Sequence, residues 1–584
     1  MTITSRWSVD IPRCSLQQWI FGSATGPIDD FRLFIDPERP DTNFLTMSDY
    51  RLLSKRVALG LQKVGLKPGD RVLVFSGNSI FYPSIFVGIL ASGGIFTGAN
   101  PGFVARELAY QLRDSGASYL FVSESSLPTA LEAAKEVGLP TSRIFLIGGE
   151  PPAASALAHS HSPSATPSPS PLAQGICHWT SLLSNNLSHA QTWSWTEPAN
   201  PETTTCCLNY SSGTTGVPKG VEISHHAYVA NGVGIQYVDD LTPGIALKRN
   251  RRRSLAFLPM YHAYGQTYFV ANFPHLRVPV YIMPSFDFLK MLEYIQKFRI
   301  STLACVPPIV VLLTKHPLTR KYDLSSIENI GSGAAPLSLE VTQECQKLFP
   351  SGDVFLKQGW GMTEVTCTAM SWDPTTKGTS AGVGEMNPNC SARIMSLDGK
   401  TEILTANESG ELWISAPTLL RSYWNKPKET ADTLSIDADG TRWLKTGDIA
   451  YVDRYAPGGI FHVVDRIKEL IKVKGNQVAP AELEGILLDF GPVADAAVVG
   501  VTINGEEAPR AYVVRKEGSS VTEEEVAGWM ADKVARYKQL RGGVKFVDAI
   551  PKNPVSLAFF FSSFSSSSLF WLCCVMSTMI VEES

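Results

Sequence analysis

Three features of this chain predict an α/β fold built as one large domain and one small one. Apolar, β-rich runs alternate with stretches of helical periodicity, the pattern of layered α/β proteins. The length, 584 residues, exceeds what a single core ordinarily fills. A further set of strand and helix patterns follows a charged boundary at Asp465-Arg466.

In chain order, Met47 to Gly65 reads as a helix, Val72-Leu73-Val74-Phe75 as a strand, and Ala105 to Ser115 as a second helix. Tyr119-Leu120-Phe121-Val122 and Ile144-Phe145-Leu146-Ile147 are β-branched and aromatic runs suited to strands. Between Pro151 and Gln174 the composition turns abruptly to Pro, Ser and Ala, which predicts a mobile surface insertion that buries little. The basic run Lys248-Arg249-Asn250-Arg251-Arg252-Arg253 reads as a solvated loop. Past Val493, Ala496 to Gly500 and Ala511 to Val514 read as strands and Thr522 to Lys538 as a helix, which together make a small second unit.

Charge and cysteine usage narrow the function. Lys and Arg total 51 against 55 Asp and Glu, a net of -4, which gives no reason to expect a nucleic-acid partner. Ten cysteines lie scattered without a C-x-x-C pair, and no charged-then-apolar leader opens the chain. A reducing, cytoplasmic setting with thiols used as small core residues is expected.

The most informative stretch is Ser211-Ser212-Gly213-Thr214-Thr215-Gly216-Val217-Pro218-Lys219-Gly220. Its glycines free the backbone, and its N–H groups, hydroxyls and one ammonium can turn toward phosphate oxygens. It is not a P-loop: Val217 and Pro218 separate Gly216 from Lys219, and Gly220 stands where Ser or Thr belongs. Alone it reads equally as a Ser/Thr/Gly-rich hairpin turn.

With four further blocks in order, it resembles the adenylate-forming superfamily of acyl-CoA synthetases, 4-coumarate-CoA ligases, luciferases and adenylation domains. These are Gly331 to Leu337 (GSGAAPL), Gln358 to Glu364 (QGWGMTE), Trp443 to Asp448 (WLKTGD), and Asp465 to Glu484, the last most like the 4-coumarate-CoA ligase branch. The resemblance implies an N-terminal adenylation domain over 1–464, a small mobile α+β domain over 465–554, and an atypical tail over 555–584. It implies ATP, Mg2+ and CoA, and a two-step reaction: a carboxylate attacks the α-phosphate of ATP, then the CoA thiol displaces AMP.

Residue by residue, Ser211, Ser212, Gly213, Thr214, Thr215, Gly216 and Lys219 would hold the β- and γ-phosphates. Thr363 would bond the α-phosphate and Glu364 would help bind Mg2+. Ala334 and Ala335 would leave room for adenine, Gln358 and Gly359 would close a wall shared with the acyl chain, and Asp448 and Arg466 would meet the ribose. Taken singly, Asp448 is also ordinary turn chemistry and Glu364 also a helix-start charge. His262 would guide the carboxylate, or be a buried structural histidine. Tyr264, Tyr268 and Gly333 would line an acyl pocket for an aryl, cinnamate-like or medium-chain fatty acid. Asp465 would be the hinge, after whose rotation Lys472 and Gln477 face the adenylate while Lys474 and Gly475 line the CoA path, with Lys468 a further cofactor-binding candidate. The alternative is that these lysines decorate a solvated strand and turn. Rival functions are a luciferase-like or amino-acid-adenylating enzyme, and a non-catalytic nucleotide-binding remnant.

One departure matters. Ile550-Pro551-Lys552-Asn553-Pro554 begins the family's terminal Pro-Lys-x-Pro-x-Gly-Lys block, and then Leu557 stands where its final lysine belongs. The uncharged run Val555 to Val581 reads as sequence foreign to the ancestral protein, or as a membrane tail anchor, and it would displace any peroxisomal address. Losing one preorganised charge costs about 10²- to 10³-fold. Adenylation by this chain is therefore expected to be slow, thioester formation from supplied acyl-adenylate less affected, and a Ser-Gly-Lys ending in place of 555 onward restorative. Near-normal rates for both half-reactions in the parent chain would contradict this.

Overall fold

The computed structural model describes residues 2–148, 154–159, 175–211, 218–349, 354–376, 381–473, 476–503 and 506–550. The terminal block from Pro551, the tail 555–584, Ser212, Gly213, Thr214, Thr215, Gly216, Lys474 and Gly475 fall outside these residues, and only the backbone of Lys472 and Gln477 is described.

Two seven-stranded sheets and one six-stranded sheet dominate the described residues. In the first, Arg71–Phe75, Ile95–Ala99, Tyr119–Ser123 and Ile144–Ile147 run parallel, as their doubly buried apolar runs require. Thr205–Ser211 continues that parallel set, and Lys219–Ser224 closes the edge antiparallel to it. In the second, Ser254–Ala256, Val280–Ile282, Thr302–Cys305, Asn329–Ser332 and Leu356–Gln358 are parallel. The third sheet is antiparallel and holds Arg442–Val452 against Phe461–Arg466.

The helices lie where the sequence puts them for identifiable reasons. Met47–Lys63 starts at a Thr46/Asp49 capping box and buries Tyr50, Leu53, Val57 and Leu61. Its partner Tyr82–Ala91 comes so close that a Cβ on Gly88 would lie 2.6 Å from Val57 Cγ1. Ala105–Ser115 matches the expected bounds, buries Leu108, Ala109 and Leu112, and stops at Gly116 in the left-handed region. A separate core of Ile471, Val478, Leu483, Val498, Val513 and Val526 lies beyond the third sheet.

Three local expectations are corrected. Within the Pro/Ser-rich stretch, Ala154–His159 is a helix with Ala154, Leu157 and Ala158 buried. Arg56 donates to the Leu157 and Ala158 carbonyls, and the exposed His159 has Nε2 2.8 Å from Asp49 Oδ1, so Ala154, Leu157 and Ala158 belong to the core rather than to a surface excursion. In the basic run, Arg252 is buried and paired with Asp239 at 2.5 Å, while Arg249 pairs with Asp240, so acidic partners on the preceding helix decide its placement. The helix expected over Thr522 to Lys538 spans Glu523–Ala531. Lys538 is drawn to Glu482 at 2.7 Å, a tertiary contact that outweighs helix propensity. Among the described residues no helix is long and apolar enough to cross a membrane.

Candidate functional site

Ser211, His262, Gly333 to Ala335 and Gln358 lie at or just after the carboxyl ends of parallel strands, where open α/β sheets place their ligand sites. Ser211 ends Thr205–Ser211. In the second sheet His262 follows Ser254–Ala256, Gly333 to Ala335 follow Asn329–Ser332, and Gln358 ends Leu356–Gln358. Ser211 and Lys219 are register partners across the antiparallel pair, so the hairpin reading and the phosphate-loop reading describe the same element.

The segment from Gln358 to Glu364 ties the blocks together. The Gln358 amide accepts from Leu337 N–H at 2.8 Å and donates to Leu337 C=O at 2.9 Å. Both halves of the amide are thus committed to the GSGAAPL turn, and Gln358 fixes that turn more directly than it walls a pocket. Gly359 N–H donates to Ser332 C=O at 2.9 Å. Trp360 Nε1 donates to Asp448 Oδ2 at 2.8 Å. Glu364, 4% exposed, accepts from Ser211 Oγ at 2.8 Å and from the Tyr423 hydroxyl at 2.9 Å, both on Oε1. Thr363 opens the same short 3-10 turn, Thr363–Val365, and is buried.

Ala334 and Ala335 are exposed, and Ala334 sits at φ 73, a left-handed conformation that costs an L-residue about 1 kcal/mol. Asp448 does not occupy a free turn. It lies in the strand Arg442–Val452, where Gly447 at φ 72 bulges the backbone and Thr446 Oγ1 accepts from Asp448 N–H at 3.0 Å. Across the ladder its register partner is Arg466, whose guanidinium Nε lies 3.3 Å from Asp448 Oδ1. Burial raises the Asp448 carboxyl above its usual value, with Arg466 and the Trp360 indole opposing.

His262 is half-buried and caps the turn that follows, its Nδ1 accepting from Tyr264 N–H at 3.3 Å. Desolvation lowers its imidazole to about 4, so the ring is neutral near pH 7 with its proton on Nε2. Tyr264, in the turn Ala263–Gly265, meets Tyr268 edge to face at 5.2 Å, and Tyr268 lies on a π-helical stretch, Gln266–Asn272, a form that often marks functional sites. A Cβ on Gly333 would lie 3.7 Å from the Tyr264 ring, which puts Gly333, Tyr264 and Tyr268 together. Asp465 is buried and accepts from Ala481 N–H at 3.1 Å, joining Phe461–Arg466 to the helix Pro480–Leu488. Lys472 and Gln477 are register partners in a two-stranded hairpin, and Lys468 lies in the 3-10 turn Ile467–Glu469.

Tyr423 and the indole of Trp360 are functional candidates that sequence reasoning missed. Trp360 lies inside the QGWGMTE block with no partner visible in the sequence, and Tyr423 lies in a loop whose only local signal is the aromatic pair Tyr423-Trp424.

The family model described as AMP-binding enzyme matches residues 27–424. The chain belongs to the AMP-binding enzyme family. A second model, the AMP-binding enzyme C-terminal domain, matches residues 482–556. This AMP-binding enzyme is 35% identical over 553 residues to a phenylacetyl-CoA ligase of Aspergillus niger, covering 94% of this chain and 95% of that one. It is 36% identical over 501 residues to a probable 4-coumarate–CoA ligase of Dictyostelium discoideum, covering 85% and 86%. Its fold resembles ATP-bound MatB from Rhodopseudomonas palustris, with TM-score 0.76, 23% identity and coverage of 93% and 96%. The two family models and the likeness to MatB give this chain a large N-terminal and a small C-terminal domain.

The buried Asp448 yields a stability test. A carboxyl whose native pKa lies above its unfolded value destabilises the fold while ionised, and that cost vanishes once pH falls below the unfolded value, about 4. Asp448→Asn is expected to melt above the parent at pH 7, with the gap closing as pH is lowered toward 4 in a series of thermal melts. A gap of opposite sign, or one independent of pH, contradicts this.

Proposed function

We propose that this chain is an ATP-dependent carboxylic acid:CoA ligase, which makes an acyl-adenylate and then an acyl-CoA thioester. The observation that supports it most is the convergence of Ser211, Lys219 and Glu364 at one hairpin mouth. Lys219 is 5% exposed with its Nζ 4.8 Å above the Tyr423 ring, and Glu364 is buried beside it. Holding a cation and an anion out of water is costly unless a ligand or partner compensates. A triphosphate with its cation supplies both complements.

In this reading Ser211, Ser212, Gly213, Thr214, Thr215, Gly216 and Lys219 hold the β- and γ-phosphates and Thr363 the α-phosphate. The residues present fit Mg2+: Glu364 Oε1 is taken by two donors, and among the described residues Oε2 has no hydrogen bond, which leaves one hard oxygen of the kind that ion selects. When bound, the ion neutralises charge on the phosphate oxygens and the leaving pyrophosphate. Adenine lies on the exposed Ala334–Ala335 face, fixed from behind by Gln358 and Gly359, and the ribose hydroxyls donate to Asp448 beside Arg466.

His262 presents Nε2–H as a neutral donor to the substrate carboxylate, which orients one oxygen toward the α-phosphorus without neutralising the nucleophile. Tyr264, Tyr268 and Gly333 shape the acyl wall. An edge-to-face tyrosine pair beside Gly333 offers aromatic edges and faces against which an aryl-bearing acid would pack. The relatives that act on phenylacetate and 4-coumarate, by their names, support the same class. After adenylation, rotation at Asp465 brings Lys472 and Gln477 to the adenylate and Lys468, Lys474 and Gly475 to the thiol path. The Leu557 departure belongs to this reading as the reason the first step is slow.

The test is product analysis with ATP, CoA and a panel of arylacetic, cinnamic and medium-chain acids, using the parent and the Ser-Gly-Lys-tailed chain. AMP, pyrophosphate and a thioester that requires CoA are expected, with aryl acids favoured over aliphatic ones. Thioester absent with every acid in both chains contradicts the ligase reading, and a preference for aliphatic acids contradicts the aryl assignment.

A further inference from the structure

Tyr423 is 6% exposed and is held by its backbone on every side. It forms an antiparallel bridge to Val221, while Trp424 N–H donates to Gly220 C=O at 2.8 Å and Tyr423 N–H to Thr430 Oγ1 at 2.9 Å. The flanking residues are tied to the same strand: Glu222 accepts from Arg421 and Ser422, each at 2.6 Å. With the main chain fixed, the ring itself is held by burial and by its hydroxyl bond to Glu364. It ends between two charged groups, with its hydroxyl donating to Glu364 Oε1 at 2.9 Å and its face 4.8 Å below the Lys219 ammonium. Burial and the Glu364 charge raise its phenol, so the hydroxyl stays a donor.

We propose that Tyr423 is a positioning residue for the nucleotide: its hydroxyl, with Ser211, occupies Glu364 Oε1 so that Oε2 is left for the cation that accompanies ATP, and its ring face holds the Lys219 ammonium in place. This rests on the reading of Ser211, Lys219 and Glu364 as the triphosphate site. The two parts are separable. Tyr423→Phe keeps the ring and its attraction for the ammonium and deletes only the hydroxyl, while Tyr423→Leu deletes both.

The experiment is calorimetric titration of ATP into the full chain, with and without Mg2+, for the parent, Tyr423→Phe, Tyr423→Leu, Glu364→Gln and the Tyr423→Phe/Glu364→Gln pair. Losing a hydrogen bond to a charged group costs about tenfold. Tyr423→Phe is expected to bind ATP about tenfold more weakly with Mg2+ and within about twofold of the parent without it. Tyr423→Leu weakens both, and in the Glu364→Gln background Tyr423→Phe adds no further loss. Full Mg2+ enhancement in Tyr423→Phe, equal weakening with and without Mg2+, or additive losses in the double variant each overturn the proposal. A parent chain that takes up no ATP under either condition fails the function proposed above, an outcome distinct from a parent that binds while Tyr423→Phe matches it.

Discussion

Glu364 is the tie on which the site depends. Its one carboxylate oxygen draws together Ser211, at the end of an edge strand pair, and Tyr423, some sixty positions further along the chain. Its carbonyl accepts from Leu420 N–H at 2.8 Å, so main chain and side chain both hold the segment from Leu420 to Tyr423. Six residues earlier the Gln358 amide clamps Leu337, and between them the Trp360 indole holds Asp448. A single short stretch thus fixes the turn assigned to adenine, the carboxylate assigned to ribose and the mouth assigned to phosphate.

The energetics explain why so many bonds converge there. A buried carboxylate with one lost donor costs about 1 to 3 kcal/mol, and a buried ion left without its partner costs more. The site meets part of this demand with protein groups, namely Ser211 and Tyr423 on Glu364, Arg466 and Trp360 on Asp448, and the tyrosine face under Lys219. What remains is raised carboxyl groups at Asp448 and Asp465, the latter again through burial. Such residual electrostatic tension is the usual mark of a place where polar ligands bind.

Much of this was legible in the sequence, for physical reasons. The parallel strands buried on both faces advertise themselves as unbroken runs such as Val72 to Phe75, and Ala105–Ser115 carries its stop signal in Gly116. The ordered motif blocks marked the family before any contact was known. What stayed hidden depends on partners distant in sequence. Ala154–His159 lies among Pro and Ser residues, and Arg56 and Asp49, about a hundred positions earlier, show why Ala154, Leu157 and Ala158 are buried. Arg252 looked solvated because Asp239 is a partner by folding and not by motif. Gln358 resembled a wall residue because no pattern says that its amide is spent on Leu337. Tyr423 carries no local signature beyond its aromatic neighbour Trp424, since its meaning comes from Glu364 and Lys219.

The central claim is that Lys219, buried at the hairpin mouth over Tyr423, reads the outer phosphates of ATP and not the nucleoside. The direct measurement is the affinity of Lys219→Met for ATP and for AMP under identical salt. ATP is predicted to bind at least about tenfold more weakly while AMP stays within about twofold of the parent. Equal losses for the two nucleotides, or none for ATP, would contradict the account.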